Sequence, residues 1–332
     1  MIKPTLICLL LSIFCSSIIA ETPRTELVTM AILTQPAVEV LRQNFYQNGE
    51  SFTFTPGSLV DYVGSAGSMP VLITFDMNIE KLEFLLGRTD SLLISSPEAD
   101  LLKDGGEYTP YMKSVWDAIR LASERNSAGS YYPILALGNG MDALMRYSTK
   151  NPNTIKCNSG LDNTTKAINI KSMPSNIKPE WKDLLTDKDH VDVLGSGDLY
   201  FENQCSTTVA DFEADSSLSD TFDILATSAD GNYVEIVKHK QYPFYGFHFH
   251  PEKHIFERGD PHAHLDRSEK TTEFVKAIML TFSQSVRERG QPKMIKQISS
   301  QVKQYFAMFR PSELPVVDRW ERIITYQQFH DI

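Results

Sequence analysis

The stretch that decides the fold is Tyr132-Pro-Ile-Leu-Ala-Leu-Gly-Asn-Gly-Met-Asp142. Its first half is a short apolar run without helical periodicity, which is typical of a buried strand. The Gly138-Asn-Gly140 turn then leads into a helix that is predicted over Met141 to Tyr147. Such a strand–turn–helix unit places one residue at the top of a sheet. There the free N–H groups and the dipole of the helix stabilise negative charge.

Strands and helices alternate on both sides of this turn. Short apolar runs predict strands, and apolar residues at helical spacing predict helices. Further strands are predicted over Leu27 to Leu33, Met69 to Phe75, Ser91 to Ser95 and Phe244 to His250, with a hairpin at Asp230-Gly-Asn232. Helices are predicted over Ser58 to Gly67 with Ser58 as N-cap, Ile79 to Leu86, Tyr111 to Ala122 and Glu269 to Arg287. This alternation predicts an α/β fold with one doubly wound, mostly parallel sheet and flanking helices.

The bulk composition fits one globular domain. The 332 residues are 42% hydrophobic and 22% charged, and the formal net charge is -10 without any block rich in Lys or Arg. A chain of this size can bury a sizeable core. Its negative charge argues against nucleic acid or an anionic membrane surface as the main partner. Residues 151–219 are rich in Asn, Ser, Asp and Lys and are predicted as a long irregular excursion with short strands.

The first twenty residues have the order of a secretory signal peptide. A basic start with Lys3 precedes an apolar run from Thr5 to Phe14 and a small-residue stretch that ends at Ala20. Cleavage after Ala20 leaves one domain over residues 21–332 with no membrane span. An uncleaved membrane anchor is the alternative, although the apolar run is short for a bilayer. We therefore expect the protein in the secretory pathway, either outside the cell or in a lysosome- or vacuole-like lumen.

Two cysteines, Cys157 and Cys205, remain after cleavage. An oxidising compartment favours a disulfide between them, and two free buried thiols are the open alternative. Asn163-Thr-Thr165 is an N-glycosylation sequon, which matters only for a protein that enters the secretory pathway. The sequence thus predicts a glycan at Asn163.

A second constellation, His250-Pro-Glu252, ends the strand that is predicted from Phe244. A histidine followed two residues later by a carboxylate can be a general base with its orienting acid. The pair can also be purely structural, because a histidine at a strand end often packs and hydrogen-bonds with a carboxylate. Both interpretations stay open.

Together, the glycine turn and the His-Pro-Glu segment resemble the class I glutamine amidotransferase fold and, within it, the γ-glutamyl hydrolases. The resemblance covers nearly the whole chain after the signal peptide. Its further segments are Ile32 to Gln35, Ser58 to Asp76, Tyr242 to Lys253, Asp260 to His262 and Tyr326 to Phe329. The resemblance implies hydrolysis of γ-glutamyl bonds by a cysteine nucleophile at the elbow, assisted by a His–Glu pair and without a cofactor.

The chain departs from this family where the reaction needs specific groups. Pro133 to Asp142 is similar to the family's P-V-W-G-T-C-L-G-F-E, with Asp142 at the acidic position and Gly138 at the cysteine position. Glycine has no side chain that could form a thioester. Leu93 to Glu98 is similar to the family's L-F-P-G-G-S, and Pro97 replaces the second glycine. Because proline has no N–H, it cannot donate to an oxyanion. The resemblance therefore implies a disarmed, pseudoenzyme site.

Other residues offer alternative chemistry. Five of the eight histidines fall between His248 and His264, and with Asp266 they suggest a zinc or copper site whose bound water would replace the cysteine. Their spacing matches no metal-binding signature, so we predict no metal. Ser95 and Ser96 are candidate nucleophiles, but they lie on the oxyanion loop rather than on the elbow.

Two functions are consistent with these patterns. The first is a non-catalytic binding or structural protein, with a γ-glutamyl or folate-like small molecule or a protein partner, as a homo- or hetero-oligomer. The second is a γ-glutamyl hydrolase, acting for instance on polyglutamylated folate, that uses a different nucleophile or a metal-bound water.

Overall fold

The computed structural model describes residues 28–37, 41, 52–96, 100–103, 106–149, 151, 153–290, 311–314 and 323–327. The predicted signal peptide over residues 1–20 and the substituted loop residue Pro97 lie outside the described residues. The cleavage after Ala20 and the effect of Pro97 on the oxyanion loop therefore stay predictions.

Fourteen strands are present among the described residues. They are β1 (Val28–Leu33), β2 (Gln35–Pro36), β3 (Phe52–Pro56), β4 (Ser68–Ile73), β5 (Ser91–Ile94), β6 (Ile134–Leu137), β7 (Lys156–Lys166), β8 (Ile168–Ile170), β9 (Leu199–Ser206), β10 (Phe222–Ser228), β11 (Val234–His239), β12 (Phe244–Phe247), β13 (Pro311–Leu314) and β14 (Ile323–Gln327). Eight of them form the central sheet, in the order β4-β1-β5-β6-β12-β11-β10-β8. The strands from β4 to β12 pair in parallel, and the last three strands pair antiparallel. The predicted α/β fold with a mostly parallel sheet is confirmed.

Helices flank this sheet. They are α1 (Gly57–Ser65), α2 (Ile79–Leu86), α3 (Pro110–Ser127), α4 (Asn139–Ser148), α5 (Pro179–Thr186), α6 (Lys188–Gly195), α7 (Val209–Ala214), α8 (Ser216–Ser219), α9 (Pro251–Phe256) and α10 (Glu269–Arg289). Alternate residues of β1 enter two different apolar clusters, Met30 and Ile32 on one side and Ala31 and Leu33 on the other. Because successive strand residues point to opposite faces, both faces of the sheet are covered. Within the described ranges, no helix has the length and apolar character that crossing a bilayer requires.

Two smaller sheets complete the architecture. One has the order β13-β14-β3-β2, and the other is the antiparallel pair of β7 and β9. The strand β9 lies close to α4, which follows the glycine turn, and to α9, which follows His250. The β7–β9 pair therefore stands beside the candidate site.

The segment 151–219 is far more regular than predicted. It contains β7 to β9 and α5 to α8. Its polar composition hides short amphipathic elements: α5 buries Trp181, Leu184 and Leu185 while its other residues face outward. The Trp181 ring stacks on Tyr245 at a centroid distance of 4.1 Å. The prediction of an irregular excursion is wrong because three apolar residues in an eight-residue helix are too few to show periodicity in sequence.

Several predicted boundaries also shift. The helix α4 begins at Asn139 rather than Met141, because Gly138 alone makes the turn with φ 56° and ψ -134°. The strand β12 ends at Phe247 rather than at His250. Ser58 lies inside α1, whose N-cap position is occupied by Pro56.

Candidate active site

The glycine turn between β6 and α4 keeps the shape of a nucleophile elbow. Gly138 has a positive φ of 56°, and its N–H donates to the Phe247 carbonyl at 2.8 Å, which ties the turn to β12. A Cβ on Gly140 would overlap the Ile94 carbonyl oxygen, so glycine lets α4 start directly against β5. The backbone therefore presents position 138 at the top of the sheet, as the sequence predicted.

The space in front of Gly138 is occupied by two side chains. A Cβ built on Gly138 would lie 2.5 Å from Nε2 of His250 and 2.8 Å from Cβ of Ser96. Such distances are well below van der Waals contact, so any side chain at position 138 requires both neighbours to move. The structure is therefore closed in front of position 138, where the resemblance predicts the family's cysteine.

The predicted His–Glu pair comes together at this point. Nδ1 of His250 lies 2.8 Å from Oε1 of Glu252, and both residues are only 3% exposed. The His250 N–H donates to the Tyr200 carbonyl at 2.8 Å, which fixes the histidine backbone. With Nδ1–H donated to the carboxylate, Nε2 faces Gly138 as an acceptor. Among the described residues, no group hydrogen-bonds to this Nε2.

The first N–H of the elbow helix is also engaged. The Asn139 N–H donates to Oγ of Ser96 at 3.1 Å. In an elbow of this kind, the N–H that follows the nucleophile is an oxyanion donor. Here a serine hydroxyl takes the place that an oxyanion would need, while the neighbouring Pro97 lies outside the described residues. The space in front of Gly138 and the Asn139 N–H are therefore both occupied by the protein's own side chains.

Comparisons with known proteins find similarity to glutamine amidotransferases and to γ-glutamyl hydrolases. The family described as "Glutamine amidotransferase class-I" matches residues 106–264, a range that includes the elbow and the His250–Glu252 pair. γ-Glutamyl hydrolase 1 of Arabidopsis thaliana is 25% identical over 65% of this chain and 61% of its own length. γ-Glutamyl hydrolase B of Dictyostelium discoideum is 24% identical over 68% and 62%. γ-Glutamyl hydrolase of Rattus norvegicus is 24% identical over 69% and 72%.

The chain is similar to the γ-glutamyl hydrolases. It carries a class I glutamine amidotransferase-like fold. It spans somewhat less than two thirds of the length of the Arabidopsis and Dictyostelium relatives. A solved structure of a GMP synthase component from Thermoplasma acidophilum aligns with a TM-score of 0.45 and 13% identity, covering 79% of this chain and 98% of that one.

Asp142 belongs to a buried ion network behind the elbow. Oδ2 of Asp142 lies 3.3 Å from Nε2 of His248, and Oε2 of Glu235 lies 2.9 Å from Nδ1 of the same ring. All three residues are fully buried. Burial alone would lower the pKa of His248, but the two carboxylates outweigh it and raise the pKa to about 10. His248 is therefore a buried cation, and Asp142 has a structural partner.

Sequence reasoning missed Glu235 and misplaced His248. The alternation Phe-His-Phe-His predicts that His248 and His250 share one face of a strand. Because β12 ends at Phe247, the two imidazoles turn to different partners: His248 to the network and His250 to the elbow. The signal that was available is the acidic residue in the middle of the apolar run of β11, since a buried carboxylate requires a partner.

The Cys157–Cys205 disulfide is present, with an S–S distance of 2.06 Å, and joins β7 to β9. It is held against α4. The Cys205 N–H donates to Oδ1 of Asn139 at 3.3 Å, and Arg146 donates to Sγ of Cys157 at 3.3 Å. The Cys205 carbonyl lies 3.0 Å from Nε2 of His248. The disulfide thus links the β7–β9 pair to the helix that carries the elbow.

The remaining histidines do not assemble around one point. His254 accepts from the Tyr200 N–H at 3.3 Å, and its Nδ1 lies 2.9 Å from the Asp266 carbonyl. His262 and His264 instead place their rings edge-on to Tyr200, at 5.3 and 6.0 Å. Within the part of the chain that the structure describes, no group of three or more His, Cys, Asp or Glu side chains is arranged to hold a metal.

Proposed function

We propose that this γ-glutamyl hydrolase relative does not hydrolyse γ-glutamyl bonds by cysteine chemistry and that its role is binding or structural. Covalent catalysis at an elbow requires a nucleophile that a neighbouring base activates. Gly138 supplies none, and losing the nucleophile of a hydrolase removes several powers of ten in rate. The substitution of an oxyanion-loop glycine by Pro97 would remove a donor worth roughly 3–4 kcal/mol of transition-state stabilisation.

The observation that carries this proposal is the packing of His250 against Gly138. Its Nε2 would lie 2.5 Å from a Cβ at that position, so the general base occupies the room that the nucleophile would need. Likewise, the Ser96 hydroxyl accepts the hydrogen bond of the Asn139 N–H, which an oxyanion would otherwise need. These contacts support a site whose own side chains fill the space that a cysteine would occupy, rather than an open site that lacks only the cysteine.

On this proposal, the retained His250–Glu252 pair is structural. The imidazole holds the carboxylate at 2.8 Å inside the protein, and the backbone of His250 is bound to Tyr200. A buried carboxylate without such a partner would cost several kcal/mol. The pair therefore has a reason to persist without catalysis.

We further propose that the protein enters the secretory pathway through the signal peptide over residues 1–20, with a single domain over residues 21–332. Its place would be outside the cell or in a lysosome- or vacuole-like lumen. A γ-glutamyl or folate-like small molecule, or a protein partner in an oligomer, would be its ligand. The γ-glutamyl hydrolase relatives support this choice of ligand through the reaction that their names describe.

An activity assay tests the central claim. Purified protein is expected to release no glutamate from a γ-glutamyl peptide or a polyglutamylated folate above the rate without protein. A relative that contains the cysteine serves as positive control in the same buffer. Turnover that thiol alkylation stops would overturn the absence of cysteine chemistry. Turnover that persists after alkylation and is abolished by His250→Ala would overturn the binding or structural role.

One observation favours a second function, a hydrolase with a serine nucleophile. Cβ of Ser96 and Nε2 of His250 both lie next to the vacant Cβ position of Gly138, and this Nε2 is unpaired among the described residues. Rotation of the Ser96 hydroxyl toward Nε2 would give a Ser–His–Glu arrangement. If the assay does show turnover, Ser96→Ala is expected to abolish it. An unchanged rate in that variant would exclude the serine.

A further inference from the structure

The sequon residue Asn163 occupies an unusual place on β7. The register runs from Leu161 opposite Asn203 to Thr164 opposite Phe201, so β7 carries one more residue than β9 between these pairs. This is a β-bulge, and Asn163 within it has a positive φ of 52°. Asparagine tolerates this conformation better than other residues with a side chain. The bulge turns an exposed Asn163 out of the ladder.

A single hydrogen bond orients the Asn163 amide. Its Oδ1 accepts from the Tyr200 hydroxyl at 3.2 Å. Because Tyr200 is fully buried, this bond directs the amide oxygen toward the protein, and no hydrogen bond engages Nδ2 among the described residues. Nδ2 is the atom to which an N-glycan is attached. A glycan on Nδ2 would therefore leave the hydrogen bond to Tyr200 in place.

Tyr200 connects this position to the candidate site. Its carbonyl holds the His250 N–H, and its ring centroid lies 6.2 Å from the His250 ring. The same ring contacts the exposed His264 at 6.0 Å. One side chain thus separates the sequon from the residues that line the elbow.

We propose that Asn163 carries an N-linked glycan whose first sugars shield the exposed His264, which packs against the same Tyr200 ring beside the elbow. The proposal rests on the proposed secretory route, because the transfer of glycans occurs there. Such a glycan would give the β-bulge at Asn163 a function. A sugar at this place would limit the access of large γ-glutamyl chains to the site from the side of β7.

Three variants, expressed as the full chain in a secreting eukaryotic host, test the proposal. Thr165→Ala destroys the sequon but keeps the bond between Asn163 and Tyr200. Asn163→Gln removes the sequon and changes the amide, and Tyr200→Phe removes the bond but keeps the sequon. Endoglycosidase treatment is expected to increase the electrophoretic mobility of the wild type and of Tyr200→Phe by the mass of one glycan. It should not change the mobility of Thr165→Ala or Asn163→Gln.

Histidine accessibility tests the shielding. The rate at which diethyl pyrocarbonate modifies His264, measured by mass spectrometry relative to His190 on α6, is expected to rise when the glycan is removed enzymatically or by Thr165→Ala. An equal rate ratio with and without the glycan would refute the shielding. Secreted protein with a processed N-terminus but an unmodified Asn163 would refute the glycan itself. Neither outcome depends on hydrolase activity, so the proposed function is judged separately.

Discussion

Gly138→Cys alone is expected to leave the protein without γ-glutamyl hydrolase activity, although it restores the thiol. The new Cβ would meet Nε2 of His250 at 2.5 Å and Cβ of Ser96 at 2.8 Å, so the base and the loop must both move. A side chain at φ 56° and ψ -134° also adds about 1–3 kcal/mol of backbone strain. We expect a lower free energy of unfolding and no turnover.

Activity is expected to return only when the oxyanion loop is rebuilt as well. The combination of Gly138→Cys, Ser96→Gly and Pro97→Gly removes the serine from the Asn139 N–H and restores a second N–H. Because one oxyanion donor is worth about 10²–10³ in kcat, the triple variant should exceed the single variant by at least that order. Steady-state hydrolysis of a γ-glutamyl peptide, with thiol alkylation as a check, measures the difference.

The matched control is Gly138→Ala in the same Ser96→Gly and Pro97→Gly background. It carries the same Cβ and strain but no thiol, so it separates packing from chemistry. Full activity of Gly138→Cys alone would show that the His250 side chain moves away from position 138 readily. It would contradict the closed site described above. A folded but inactive triple variant would show instead that the substrate pocket has been lost together with the cysteine.

His248→Gln is expected to lower the free energy of unfolding by about 3–5 kcal/mol, because it leaves Asp142 and Glu235 buried without their shared cation. Urea denaturation followed by circular dichroism measures this loss. Adding Glu235→Gln removes one of the two carboxylates that flank this position and should recover part of the lost stability. The exposed His264→Gln should change stability by less than about 0.5 kcal/mol. Equal stabilities of His248→Gln and the wild type would contradict a charged network.

The same network predicts a dependence of stability on pH. The pKa of His248 rises from 6.5 in the unfolded chain to about 10 in the fold. Its contribution is therefore fully present below pH 6.5 and is lost as the pH rises through about 10. The difference in unfolding free energy between the wild type and His248→Gln should shrink across this window. A difference that grows with pH would show that His248 is neutral in the fold.

The candidate site was only partly accessible to sequence reasoning. The elbow and the His250–Glu252 pair were predictable because each is a local pattern of a few residues. The sequence presents Ser96 only as an alternative nucleophile, since nothing in it shows that the Ser96 hydroxyl reaches the Asn139 N–H. That hydrogen bond joins residues 43 positions apart, and it forms only because β5 and β6 are neighbours in the sheet.

The fold, like the site, has parts that the sequence predicts and parts that it does not. Short apolar runs for the strands and helical spacing of apolar residues in longer helices such as α10 gave the α/β class, because both are local patterns along the sequence. The helices α5 and α6 were missed because each has only eight residues and a small buried face. Such helices owe their stability to packing, as in the stacking of Trp181 on Tyr245, rather than to local preference.

By itself, the sequence determined that this protein has an α/β fold with a glycine elbow and that no cysteine stands at position 138. These properties depend on residue identity and on local spacing. Only the tertiary structure decided that His250 and Ser96 fill the vacant position, and that Asp142 pairs with His248, 106 residues away. The physical reason is that contacts between distant segments depend on how strands and helices pack against one another. The order of residues along the chain does not show this packing.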